Sequence, residues 1–129
     1  MRLRRFWIGC GFAFVALVIY LSLTPNPVDT GRIEDVKTGH FIAYAWLMWW
    51  FGQIHTARPT QIATAFALIL LGVALEYAQG LTGYRTFAYS DMRDNALGVL
   101  MGWIIAATPF GRSLLLFEAS YFRLKARGT

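Results

Sequence analysis

Four hydrophobic segments follow one another along this chain of 129 residues, and each is close to the length that a helix needs to cross a bilayer. They lie at about residues 6–23, 38–54, 62–81 and 92–110. Roughly 20 apolar residues cover the hydrocarbon core of a membrane, so the second segment is the least secure candidate. Because lipid offers no partner for a free backbone N–H or C=O, such segments must be helical. The sequence therefore predicts one all-α domain, residues 1–129, built as an integral membrane bundle of four transmembrane helices.

The composition agrees with a membrane location. Hydrophobic residues make up 57% of the chain and charged residues only 15%, against about 25% charged in an ordinary soluble domain. The first segment follows a basic start, MRLRR, and in this respect resembles a signal peptide. Its apolar run is longer than a typical signal peptide has, and no A-x-A-like cleavage site follows it. We expect this segment to be retained as a membrane helix.

The distribution of basic residues predicts the orientation. Arginine and lysine dominate the N-terminal end, the second loop and the C-terminal tail, whereas most of the acidic residues lie in the first and third loops. The positive-inside rule then places both termini in the cytoplasm, and we expect a multi-pass protein of the bacterial cytoplasmic (inner) membrane. The net charge of +5 is explained by this topology and by contact with anionic lipids. We predict membrane lipids as partners and no nucleic acid.

Polar side chains lie almost entirely at one end of the hydrophobic segments. Helices that cross in alternate directions would bring these side chains together at one membrane face, which the charge distribution makes the outer face. Within each segment the spacing of three or four residues places them on one side of a helix. The predicted site consists of Lys37, His40 and Tyr44 from the second segment, Glu76 and Gln79 from the third, Arg85 from the following loop, and Asp91 and Asn95 from the fourth.

This arrangement favours binding of an anionic head group. A charge facing hydrocarbon costs about 2.5 to 3.5 kcal/mol, so we expect the polar side chains to turn inward and to pair, with Lys37 or Arg85 as the partner of Glu76. The second and fourth helices would begin at this face, and helix N-termini attract anions. The predicted ligand is a phosphate or carboxylate of an envelope lipid or cell-wall-related head group. The single cysteine, Cys10, allows no disulfide within the chain, and we expect neither a metal nor a cofactor.

Two other functions stay open at this point. In the first, the protein is an intramembrane enzyme acting on a lipid head group, with Glu76 or His40 as the general base and Lys37 or Arg85 stabilising negative charge. In the second, the polar cluster only holds together a bundle that serves as a structural or assembly protein. The oligomeric state is left open by the sequence.

Several motifs also have a purely structural interpretation. Ser90 and Asp91 are suitable caps for the fourth helix. Asn95 is suited to hydrogen bonding between membrane helices, and the Gly98-x-x-x-Gly102 motif to their close packing. Three tryptophans of the second segment would form a belt at the membrane interface, namely Trp46, Trp49 and Trp50.

The order of the polar motifs resembles the VanZ-like family, small membrane proteins named after a teicoplanin-resistance protein. The matching motifs are K-x-x-H-F-x-x-Y at residues 37–44, E-x-x-Q at 76–79, Arg85, and S-D-x-x-x-N-x-x-G at 90–98. The resemblance covers about residues 37–102 and implies a four-helix membrane domain with a link to the cell envelope or to glycopeptide (teicoplanin) tolerance. The family usually has an aspartate directly before the lysine, whereas here that position is Val36 and the aspartate is Asp35.

Overall fold

The described part of the chain is all-helical. The computed structural model describes residues 1–25 and 33–127, with residues 33–38 described by their backbone alone. Within these ranges five α-helices occur and no strand: α1 (Arg4–Leu23), α2 (Ile33–Ile54), α3 (Arg58–Leu81), α4 (Tyr89–Ala106) and α5 (Ser113–Arg127). A short 3-10 helix, Pro109–Arg112, joins α4 to α5. The predicted all-α class is confirmed, but the chain has a fifth helix that the four-helix prediction missed.

Two of these helices, α1 and α3, are long and apolar enough to cross a membrane. The pair formed by α4 and the segment Pro109–Arg127 is a third candidate if its 76° bend is counted within one broken span. In the described residues α2 does not meet the same criterion, yet it lies at the centre of the molecule, with Tyr44, Leu47 and Met48 at most 1% exposed. Polar side chains of a membrane helix can be accommodated where they face the interior of a bundle.

The closest helix contact joins α2 to α4. A Cβ atom added to Gly98 would overlap the backbone carbonyl of Phe41, and one added to Gly102 would overlap the carbonyl of Ala45. Glycine is therefore required at both positions because any side chain would push the two backbones apart. The close packing predicted for the Gly98-x-x-x-Gly102 motif is confirmed.

The tryptophans of α2 do not form a simple interfacial belt. The Trp49 indole N–H donates to the carbonyl of Phe110 at 3.2 Å, and the Trp50 indole N–H donates to the carbonyl of Trp7 at 3.0 Å. Trp50 is only 8% exposed, whereas Trp46 is 42% exposed. The prediction of a belt is wrong for Trp50, which joins α2 to α1 inside the protein.

The N-terminal end of α1 is closed by a side chain from the far end of the sequence. Glu118 of α5 is 3% exposed, and its carboxylate accepts the backbone N–H groups of Arg2 and Leu3 at 2.7 and 3.1 Å. It also accepts the Trp7 indole N–H at 2.6 Å. The first N–H groups of a helix have no partner within the helix, so this contact both caps α1 and fixes α5 against it.

This cap predicts a loss of stability in acid. Burial raises the pKa of Glu118, but the hydrogen bonds from Arg2, Trp7 and Leu3 outweigh it and bring the pKa below its ordinary value. A carboxyl group with a lower pKa in the folded state stabilises the protein fully above its unfolded pKa, about 4.3, and this contribution disappears as the pH falls through the folded value. We expect the thermal midpoint of wild type to exceed that of Glu118→Gln by several degrees at pH 7. This difference should shrink below about pH 4.

Thermal unfolding of the detergent-solubilised protein across this pH range is the measurement. The comparison uses the difference between the two proteins, because other carboxylates affect both of them equally. A difference that is the same at pH 7 and pH 3.5 would contradict a charged Glu118 cap.

Candidate functional site

Three polar side chains from three helices meet at the end of the molecule where α3 ends and α4 begins. The contact surrounds Gly72 of α3, where an added Cβ atom would lie 3.2 Å from the Asn95 Cβ atom and 3.4 Å from Cε1 of Tyr44. Glu76 follows Gly72 by one helical turn and so lies on the same side of α3. Its carboxylate lies within electrostatic range of the phenol of Tyr44. We call Tyr44, Glu76 and Asn95 the polar triad.

The polar triad is buried and its hydrogen-bonding capacity is not filled. Tyr44 and Glu76 are 1% exposed and Asn95 is 3% exposed. The Tyr44 hydroxyl, Glu76 Oε2 and Asn95 Oδ1 have no hydrogen-bond partner among the residues that the structure describes. A buried polar atom without a partner costs about 1–3 kcal/mol, and a group of three such atoms needs an explanation. The carboxylate and amide oxygens are acceptors, so the arrangement is suited to a ligand that donates hydrogen bonds.

The other oxygen of Glu76 has a defined structural role. Glu76 Oε1 accepts the backbone N–H of Ala88 at 2.7 Å. Ala88 is the N-cap of α4 and makes no side-chain cap of its own. Glu76 therefore caps α4 from the neighbouring helix, and this bond holds its carboxylate in one orientation.

The prediction that Ser90 and Asp91 cap α4 is wrong. The helix begins at Tyr89, three residues before the predicted start, so both residues lie in its first turn. The Ser90 hydroxyl donates to Asp91 Oδ1 at 3.1 Å. Asp91 remains favourable there because a carboxylate in the first turn interacts with the positive end of the helix dipole.

His40 and Asp91 belong to the electrostatic surroundings of the polar triad. The charges of both residues act on the Glu76 carboxylate, His40 from α2 and Asp91 from α4. The structure thus places three of the eight predicted site residues in the polar triad, and three more lie within electrostatic range of Glu76, namely His40, Asp91 and Arg85.

Gln79 and Arg85 point to a different partner, the C-terminal end of α1. Gln79 Nε2 donates to the carbonyl of Ser22 at 2.8 Å. Arg85 Nη2 donates to the carbonyls of Leu21 and Ser22, both at 3.1 Å. The last carbonyls of a helix have no partner within it, and these side chains provide one. Of the two predicted partners of Glu76, Arg85 makes no direct ion pair with it in the described residues, although it lies within electrostatic range; pairing with Lys37 stays a prediction.

Two of the predicted residues need separate comment. Lys37 lies in α2, but its side chain is outside the described residues, as are those of Asp35 and Val36. The role of Lys37 stays a prediction. Cys10 is a half-buried free thiol in α1.

Sequence reasoning missed the residues that join α1 to the loop after α3. The Tyr84 hydroxyl donates to the carbonyl of Leu23 at 2.6 Å, beside the bonds from Gln79 and Arg85. Ser22 is 7% exposed at this junction. No sequence motif marks a tyrosine or an arginine for such contacts, because their acceptors are the backbone carbonyls at the end of α1.

These features describe an all-helical protein with two or three membrane-length helices and a buried polar triad at one end. No group of three histidine, cysteine, aspartate or glutamate side chains that could hold a metal ion occurs in the described ranges. Comparison with protein-family models, with curated proteins and with solved structures found no match. The resemblance to the VanZ-like family therefore rests on the sequence motifs alone.

Proposed function

We propose that this protein binds the polar head group of an envelope lipid, or of a lipid-linked cell-wall intermediate, at the outer face of the bacterial cytoplasmic membrane. The observation that carries the proposal is the polar triad, in which three buried atoms from α2, α3 and α4 have no described partner. Polar groups inside a membrane protein are costly and are most often kept for function.

The proposed topology has four crossings with both termini in the cytoplasm. In it α1, α3 and α4 surround α2, and the polar triad lies towards the outer face. Basic residues at the N-terminus, in the loop before α3 and after α4 support this orientation. In the same arrangement α5 lies at the cytoplasmic face, where its last turn holds Lys125 and Arg127.

The chemistry of the site limits what the head group can be. The Glu76 carboxylate repels a phosphate, so an anionic group cannot lie directly against Glu76 Oε2. The acceptor atoms of the polar triad would instead receive hydroxyl or amine hydrogens, while a phosphate would lie nearer to His40 and away from the carboxylates of Glu76 and Asp91. A phosphorylated head group that also carries hydroxyl groups, such as a glycolipid or a glycerol-based phospholipid, meets both conditions.

The VanZ-like motifs support a role in the cell envelope. Three of them contribute to the polar triad and its surroundings, at residues 37–44, 76–79 and 90–98. Glycopeptide (teicoplanin) tolerance is the cellular function that this resemblance suggests, and binding of a cell-wall lipid is a physical route to it.

An intramembrane enzyme is the second candidate, and the geometry of Glu76 favours it. One oxygen is fixed by the Ala88 N–H at 2.7 Å, while the other is buried without a partner. A general base needs this combination of a fixed orientation and a free lone pair directed at the substrate. In this alternative Glu76 removes a proton from a head-group hydroxyl, and His40 is the other candidate base.

Native mass spectrometry of the gently purified protein tests the proposal. We expect the wild type to retain a discrete phosphorylated or glycosylated lipid, and Glu76→Gln to bind it about 10- to 100-fold more weakly, because a hydrogen bond to a charged group contributes about 1.5–3 kcal/mol. Glutamine keeps an oxygen for the Ala88 N–H, so the folded yield should be unchanged.

The control is Asp94→Asn, which removes the same charge from a carboxylate that pairs with Arg93 instead. It should retain the lipid, and Lys37→Ala should lose it. A bare wild-type protein, or the same mixed phospholipids on all variants, would contradict a head-group site. Turnover of the bound lipid by wild type and not by Glu76→Gln would select the enzyme.

A further inference from the structure

A second candidate site lies at the opposite end of the molecule, between the start of α1 and the helix α5. An open groove of about 300 Å³ runs there. Its walls are formed by Met1, Arg2, Leu115, Glu118, Ala119 and Phe122. None of these residues belongs to the polar triad or its surroundings.

The helix α5 presents three different faces around this groove. Leu115, Ala119 and Phe122 follow a helical spacing and line the groove. Three exposed apolar side chains at positions 117, 121 and 124 form a second stripe, and they are between 50% and 69% exposed: Phe117, Tyr121 and Leu124. The third face carries Arg123 and Arg127. An apolar stripe beside a basic face is typical of a helix that lies in the membrane interface, so we expect lipid to lie beside α5.

The polar end of the groove is positively charged. The exposed Arg2 guanidinium lies 5.0 Å from the centroid of the Phe122 ring. Lys125 follows Phe122 by three residues and so continues the groove face of α5. The carboxylate of Glu118 is directed at the N–H groups of Arg2, Leu3 and Trp7, and its one negative charge offsets only part of the positive charge of Arg2 and Lys125.

We infer that this groove binds one anionic phospholipid of the surrounding membrane. The phosphate lies between the side chains of Arg2 and Lys125, and an acyl chain runs along Leu115 and Phe122. The apolar walls distinguish this site from one for free phosphate, which would gain nothing from them. The inference is independent of the head-group site at the polar triad.

The test is native mass spectrometry of the full chain in detergent, titrated with dioleoyl phosphatidylglycerol or dioleoyl phosphatidylcholine. We expect one phosphatidylglycerol to bind at a concentration at which phosphatidylcholine does not. The double variant Arg2→Gln/Lys125→Gln should bind it about 10- to 30-fold more weakly, since each basic contact with an anionic lipid contributes about one factor of five. The matched control for the single variant Lys125→Gln is Arg127→Gln, which removes one charge from the other side of α5 and should bind as wild type does.

The substitution of Arg2 keeps the cap of α1, because Arg2 bonds to Glu118 through its backbone N–H. The single variant Lys125→Gln keeps Arg2 on the Phe122 ring and should still bind about fivefold more weakly, and Arg2→Lys/Lys125→Arg should restore binding. Equal losses in Lys125→Gln and Arg127→Gln, or equal binding of the two lipids, would overturn the inference. So would displacement of the lipid by glycerol 1-phosphate, which lacks acyl chains.

Discussion

Replacing Gly102 by alanine is expected to lower the thermal midpoint of the purified protein sharply. The new Cβ atom would overlap the backbone carbonyl of Ala45 and would lie 2.9 Å from the Cβ atom of Met48. A backbone carbonyl cannot rotate away as a long side chain can, so α2 and α4 must separate. Overpacking costs about 1–3 kcal/mol, and we expect the upper part of this range because Met48 itself is fully buried.

The matched control is Gly9→Ala in α1. An added Cβ atom at Gly9 meets nothing within 4 Å, and alanine is favoured over glycine within a helix by about 1 kcal/mol. Thermal unfolding in detergent, followed by tryptophan fluorescence, should therefore show an unchanged or higher midpoint for Gly9→Ala and a lower one for Gly102→Ala. Equal midpoints for the two variants would mean that α2 and α4 are not in close contact at Gly102.

The sequence predicts the last residue of the first three helices and misses their first residue by two to five positions; the second segment, predicted at 38–54, is α2 at Ile33–Ile54. The first segment, predicted at 6–23, is α1 at Arg4–Leu23, and the third, predicted at 62–81, is α3 at Arg58–Leu81. The fourth segment was wrong at both ends: its helix runs from Tyr89 to Ala106, and a separate helix α5 follows. The residues of α5 read as a basic tail because their apolar positions are divided among several faces.

The position of Glu118 shows why α5 could not be predicted. Its carboxylate is buried by contacts with Arg2, Leu3 and Trp7, more than 110 residues earlier in the chain. A local pattern contains no information about a partner at that distance. Only the fold makes this glutamate a cap for α1.

Only part of the candidate site was predictable, because a local sequence pattern does not show which helix a side chain will contact. Alternating helix directions together with helical spacing placed Tyr44, Glu76 and Asn95 at a common depth, and the structure brings them together. The same spacing could not show that Gln79 and Arg85 turn to the carbonyls at the end of α1, since every residue has a carbonyl and no motif marks these. Glu76 has a structural role and also belongs to the candidate site. Its Oε1 accepts the backbone N–H of Ala88, and its Oε2 belongs to the polar triad.

Replacing Tyr44 by phenylalanine should separate function from stability. The Tyr44 hydroxyl is buried and has no described partner, so the folded protein gives up its hydration without a hydrogen bond in return. Removing it should leave the free energy of unfolding unchanged or raise it by up to about 1–3 kcal/mol, because the aromatic ring keeps its packing. The thermal midpoint should change in the same direction. Retention of the head-group lipid should fall in the same variant, because the hydroxyl is one of the three atoms proposed to meet the ligand.

An unchanged or higher thermal midpoint together with weaker lipid retention would distinguish a binding site from a structural contact. If the polar triad only joined α2, α3 and α4, loss of the hydroxyl would lower the midpoint and leave lipid retention dependent on folded yield alone. The control is Tyr77→Phe on α3, where the tyrosine is 57% exposed and neither quantity should change. A lower midpoint for Tyr44→Phe with unchanged lipid retention would mean that the polar triad only stabilises the fold. A structural hydroxyl contributes to the free energy of unfolding, whereas a ligand-binding hydroxyl contributes to the affinity for the lipid.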